Sequence, residues 1–106
     1  MKKKPPPHLS SEAKKLWSAI LAEYAITDAA GLHILRVSLE ALDRAQAARV
    51  SIDKIGMVIR DRFQAVKPHP LIPVERDNRA AFLAGLKALN LDIEPLRDGP
   101  GRPPGR

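Results

Sequence analysis

The sequence contains no cysteine. That excludes a disulfide framework, a thiolate metal cage and a cysteine nucleophile, and it suits a reducing cytosol. Long apolar runs are missing too. No stretch approaches the roughly 18 uninterrupted apolar residues that a membrane-spanning helix requires, so no membrane partner is expected. Lys2, Lys3 and Lys4 open the chain as a secretory signal would. Pro5, Pro6, Pro7 and His8 then stand where an apolar segment of about 7 to 15 residues should follow, so secretion is not expected.

The usual scaffolds of catalysis are absent. There is no glycine-rich Walker loop, dinucleotide fingerprint or nucleophile elbow, so nucleotide hydrolysis, hydride transfer and triad chemistry are not expected. His8, His33 and His69 have no second histidine or carboxylate at ligand spacing, and a structural or solvated role is expected for His8 and His69, which both neighbour proline. Glu75 and Asp77 stand two apart, which on a helix points them to different faces, and Arg76 and Arg79 are near enough to pair with them. A salt-bridged surface is the reading there; a two-metal nuclease needs more convergent carboxylates. The chain therefore reads as non-enzymatic, with no cofactor and no metal.

What is present suffices for one domain: 106 residues, 44% of them hydrophobic and 28% charged. A core of this size often gains stability by oligomerising. Seven of the ten prolines lie near the two ends, which frames a folded region over residues 9–96, a flexible basic arm over 1–8 and a flexible Gly/Pro/Arg tail over 97–106. The net charge of +6 follows the same division, with +3 from Lys2, Lys3 and Lys4, +2 from residues 97–106 and +1 left for 9–96. Such a distribution predicts electrostatic arms for an anionic partner, or a local patch on a near-neutral body.

Apolar spacing predicts a mainly α fold of three helices. Ser10 is the expected cap of the first, with Glu12 at the positive end of its dipole and Leu16, Trp17, Ile20, Leu21 and Tyr24 on one stripe. Thr27 is the expected cap of the second, which starts at Asp28 and runs to about Lys54 with Leu32, Leu35, Leu39 and Leu42 on its apolar face. These four leucines are the candidate oligomerisation residues. The stripe then thins to Ala45, Ala48 and Ile52. Either this alanine-rich half packs on another subunit, or the helix bends or divides to wrap its own core. Gly56 ends the helical pattern, and the apolar pieces around Arg60, Asp61 and Arg62 form a short β-hairpin or an irregular loop, since no Asn-Gly or Asp-Gly turn sets a register. Alternate prolines through Pro68, Pro70 and Pro73 make a rigid connector. Leu71, Val74, Ala81, Phe82, Leu86 and Leu89 mark the third helix, and Asn90 its stop.

The candidate DNA-binding residues are the arm lysines Lys2, Lys3 and Lys4, the hairpin cations Arg60, Arg62 and Lys67, and the tail arginines Arg102 and Arg106, with Arg97 beside them. Each can neutralise a phosphate without reading a base. Plain solubility is the competing reading for the tails, and a solvated turn for Arg60 and Arg62. The short junction over 25–27 invites comparison with a helix-turn-helix. Its second helix, however, would offer bases mainly Asp28, Ala29, Ala30 and His33, a poor recognition surface.

The order of these features resembles a family of tailed-bacteriophage small terminase subunits. Pro5, Pro6 and Pro7 lead into His8, Leu9, Ser10, Ala13, Lys14 and Trp17; a Leu-rich second helix, a Gly56-led segment, His69-Pro70 before the last helix and Leu89-Asn90-Leu91 follow. The resemblance covers nearly the whole chain, and its weight lies in the order and spacing of motifs that are individually unspecific. It implies a ring-forming homo-oligomer in the cytoplasm of a bacterial host that binds double-stranded viral DNA and modulates a separate large terminase subunit during genome packaging. The alternative is a small helical transcriptional regulator or antitoxin-like dimer on a palindromic operator.

Overall fold

The structure, a computed structural model, describes residues 4–91. Helix α1 spans Ser11–Glu23, α2 spans Ala29–Ile55 and α3 spans Ile72–Ala88, with strands β1 (Val58–Arg60) and β2 (Val66–Pro68) between the last two helices. The mainly α reading holds, and the segment between α2 and α3 is a hairpin. Residues 97–106, with the expected tail, and residues 92–96 of the expected domain lie outside the described residues.

Local chemistry sets the helix ends. Ser10 Oγ accepts from the Ala13 amide at 3.0 Å and satisfies a free donor of the first turn of α1. The cap of α2 is Asp28, not Thr27: its carboxylate accepts from the Gly31 amide at 2.9 Å. An anion there answers both the free amides and the helix dipole, which a hydroxyl cannot. Gly56 closes α2 with φ of 108°, in the left-handed half of backbone space where a Cβ is strained. Asn90, with φ of 62°, stops the chain after α3 in the same way.

Helix α2 is the spine, 27 residues without interruption or about 40 Å long. One face carries Leu35 and Leu39, both fully buried with Leu9, Ala13 and Trp17. Leu32, Leu42, Leu16, Ile20, Leu21, Phe82 and Leu89 pack around that cluster. The start of α1 sits beside Asp43, so α1 runs back antiparallel along the first part of α2. A second stripe of α2, containing Ser38, Ala41, Ala45 and Ala48, is buried as well. It faces α3 of the same chain, antiparallel, from the Ser38–Gly85 crossing to the Arg49–Glu75 ion pair. The alanine-rich half therefore lies against its own α3, and the helix neither divides nor waits for another subunit to cover those alanines.

On α3 no residue is fully buried. Its half-buried positions, Ile72, Glu75, Asn78, Phe82, Gly85 and Leu86, recur at steps of three or four apart from the adjacent Gly85 and Leu86, and make one narrow seam that the half-buried Leu89 continues. Val74 and Ala81, expected on the apolar face, stand off it and are exposed.

Candidate nucleic-acid interface

The hairpin is antiparallel with Val58 opposite Pro68, Ile59 opposite Lys67 and Arg60 opposite Val66. Alternation along the strands puts Ile59, half-buried, and the adjoining buried His69 toward the body, and it turns Val58, Arg60, Val66 and Pro68 outward. His69 anchors the base of the hairpin. Its amide donates to Met57 O at 2.8 Å, its Nδ1 accepts from the Leu71 amide at 3.0 Å, and its Nε2 lies 3.3 Å from Ser51 Oγ. The expected structural role fits this placement: the ring caps the approach to α3, whose first residues have no other side-chain cap.

Asp61 builds the turn. Its carboxylate accepts from the Phe63 amide at 2.8 Å and the Ala65 amide at 3.0 Å, while its carbonyl accepts from the Gln64 amide at 2.9 Å. The Ala65 and Phe63 amides, with Lys67 at 3.3 Å, hold that carboxyl below the usual carboxylate range. Gln64 takes the left-handed position (φ 66°) that glycine normally fills in such loops. This is how a hairpin forms without the glycine turn whose absence left the segment undecided.

The three hairpin cations are thus gathered on one exposed element. Arg60 donates to Gln64 O at 2.9 Å, Lys67 pairs with Asp61, and Arg62 lies over the Phe63 ring with its Cζ 5.1 Å from the centroid. With one carboxylate among three cations, the hairpin is locally positive. Phe63 itself is 77% exposed. Sequence reasoning treated it as a flanking apolar residue of the hairpin; the adjacent Arg-Phe pair at a turn was the signal available.

The other candidate residues are scattered. Lys4 is exposed beside the proline segment, whereas Lys2, Lys3, Arg97, Arg102 and Arg106 lie outside the described residues. The end of the expected arm meets α2. His8 Nε2 is 2.6 Å from Glu40 Oε2, Leu9 N donates to Pro6 O at 3.3 Å, and Ser10 donates to Asp43 through both its amide and its hydroxyl, at 2.8 and 2.6 Å. Glu40 and Asp43, three apart on α2, hold this segment because they lie at the edge of its leucine face. His8, then Arg36 at 2.9 Å, hold the Glu40 carboxyl below its usual range. Of the four leucines expected at a subunit interface, Leu35 and Leu39 have no surface left to offer, and Leu32 and Leu42 pack on the same internal core. Such spacing serves an internal core as well as an interface, so it could not separate the two.

A recess of about 240 Å³ between the N-terminal segment and α2 is lined by His8, Glu40, Asp43 and Arg44, and His8 and Glu40 meet within it at 2.6 Å. Among the described residues, no cluster of three or more histidines and carboxylates could hold a metal ion, and no helix is long and apolar enough to cross a membrane. No protein family, no curated protein and no solved structure matches this chain.

Proposed function

We propose that this chain is a non-catalytic, self-associating DNA-binding adaptor of the small terminase subunit kind, acting on double-stranded viral DNA and on a large terminase subunit in the cytoplasm of a bacterial host. The observation that carries the reading is the solvent-facing hairpin, where Arg60, Arg62 and Lys67 surround a turn whose one carboxylate is shared between two backbone amides and Lys67. Cations so placed meet phosphate without rearranging the core. Contacts from one subunit are few and weak, and they add through effective concentration once several copies share one DNA. Lys2, Lys3, Lys4, Arg102 and Arg106 extend the same electrostatics.

The order of the proline segment, the Ser10 cap, the leucine-faced α2, the hairpin and the His69-Pro70 entry to α3 supports the terminase resemblance. A two-fold operator-binding regulator is less well supported: the start of α2, which would serve as the recognition helix, presents the Asp28 carboxylate and no cation before Arg36. Fluorescence anisotropy with labelled duplex DNA over a salt series, together with a solution mass measurement, tests the proposal. Salt-sensitive binding by an assembly larger than a dimer is expected. A monomer indifferent to duplex DNA in dilute buffer contradicts it.

A further inference from the structure

We propose that Phe63 stacks on the face of a nucleobase, making the hairpin tip a base-contacting element as well as a phosphate-contacting one. The inference rests on the DNA-binding reading above. Three observations carry it. Among the described residues Phe63 is the most exposed of the large hydrophobic side chains, so the fold gains almost nothing from it. Its mount is rigid: Asp61 holds the backbone on both sides of the ring, and Arg60 ties down Gln64 O across the turn. A ring presented in one place loses little freedom on binding, which favours contact with a partner.

The third observation is charge. Arg62 lies against the ring within cation–π distance, and Arg60 and Lys67 stand on the flanking strands. An apolar pocket on another copy would match the ring and leave the cations unexplained. An anionic membrane would match the charge, but the Arg62 guanidinium would have to leave the ring and turn to the headgroups. A base accommodates both groups, since it offers a π-face to the ring and a phosphate within reach of the guanidinium. Two sources supply such a base, a paired step opened by the ring and an unpaired position, and the test below separates them.

The experiment compares the full chain with Phe63→Ala, Phe63→Trp and the triple variant Arg60→Ala/Arg62→Ala/Lys67→Ala. The probes are a labelled duplex, the same duplex with one unpaired adenine, and vesicles of phosphatidylcholine with phosphatidylserine. Phe63→Ala should melt as the wild type does and lose about tenfold in DNA affinity at every salt concentration, with an unchanged salt slope. Phe63→Trp should keep affinity, and its exposed indole should be quenched on binding. Equal losses on both duplexes place the ring at a paired step; a loss confined to the second places it on an unpaired base. Either result supports the proposal. If the wild type binds DNA with a steep salt slope and Phe63→Ala binds equally well, stacking is overturned while the DNA-binding reading stands. If the wild type binds neither duplex, or binds only vesicles through Phe63, both are overturned.

Discussion

Gly85 has no room for a side chain: a Cβ there would overlap Ser38 Oγ and lie 2.9 Å from Ser38 Cβ. Ser38 cannot swing away, because it is buried and its hydroxyl donates to Ile34 O at 2.7 Å. Gly85→Ala should therefore cost about 1 to 3 kcal/mol, as overpacking of a close helix crossing does. Pairing it with Ser38→Gly should recover part of that loss, so urea unfolding of the single and double variants should show a total smaller than the two costs added. Strict additivity would contradict the crossing. Residues that act on their immediate neighbours were legible in the sequence, as Ser10, Gly56 and Asn90 show, because each solves a problem set by the adjoining turn. The Ser38–Gly85 contact was not, since it depends on where two helices cross. His69 was legible as structural, but its distant partners were not. Leu71 is a local partner two residues on, but Ser51 of α2 and Met57 just before β1 are brought to the ring and its amide only by the fold.

At the level of elements, α2 carries two buried stripes, which explains its length. The leucine stripe serves α1 and the N-terminal segment; the Ser38–Ala48 stripe serves α3. Alanines allow a close approach but bury little area, and this is why they read equally well as an interface with another subunit. Where the alanines end, α2 and α3 are joined by charge: Glu75 takes Arg79 at 3.0 Å and Arg49 of α2 at 2.9 Å. Arg79, then Arg49, lowers the Glu75 carboxyl from 4.5 to about 2. A carboxyl whose folded value lies below its unfolded one contributes stability at higher pH and loses it on acidification. That contribution should be complete above pH 4.5 and fade as pH falls toward 2. In chemical denaturation across that window, the wild type should lose stability faster than Glu75→Gln; parallel curves would contradict the clip. The pairing of Glu75 with Arg79 followed from helical spacing. Arg49, being 26 residues distant in sequence, did not. The hairpin was half legible for a similar reason: its apolar flanks were visible, but Gln64 occupies a backbone conformation that the sequence assigns to glycine or asparagine.

As a whole, the molecule is only 19 Å through its thinnest direction, less than two helix diameters. A slab this thin covers α2 from two sides and leaves α3 with one buried seam and an exposed face that includes Leu83. We expect copies of the chain to cover that face, so Leu83→Glu should lower the solution mass toward that of a monomer without lowering the melting temperature of the protomer. An unchanged assembly would move the interface elsewhere, to the exposed Val50, Ile55 or Met57. Charge is organised at this scale too. The N-terminal segment and α3 spend much of theirs on internal pairs, whereas the hairpin sets three exposed cations against one carboxylate. The claim that these cations meet phosphate is tested most directly by the slope of log affinity against log salt for duplex DNA. The account predicts a steep negative slope for the wild type, made shallower by about one unit for each phosphate-contacting cation removed from Arg60, Arg62 and Lys67. A flat slope for the wild type, or an identical slope for the triple alanine variant, would contradict it.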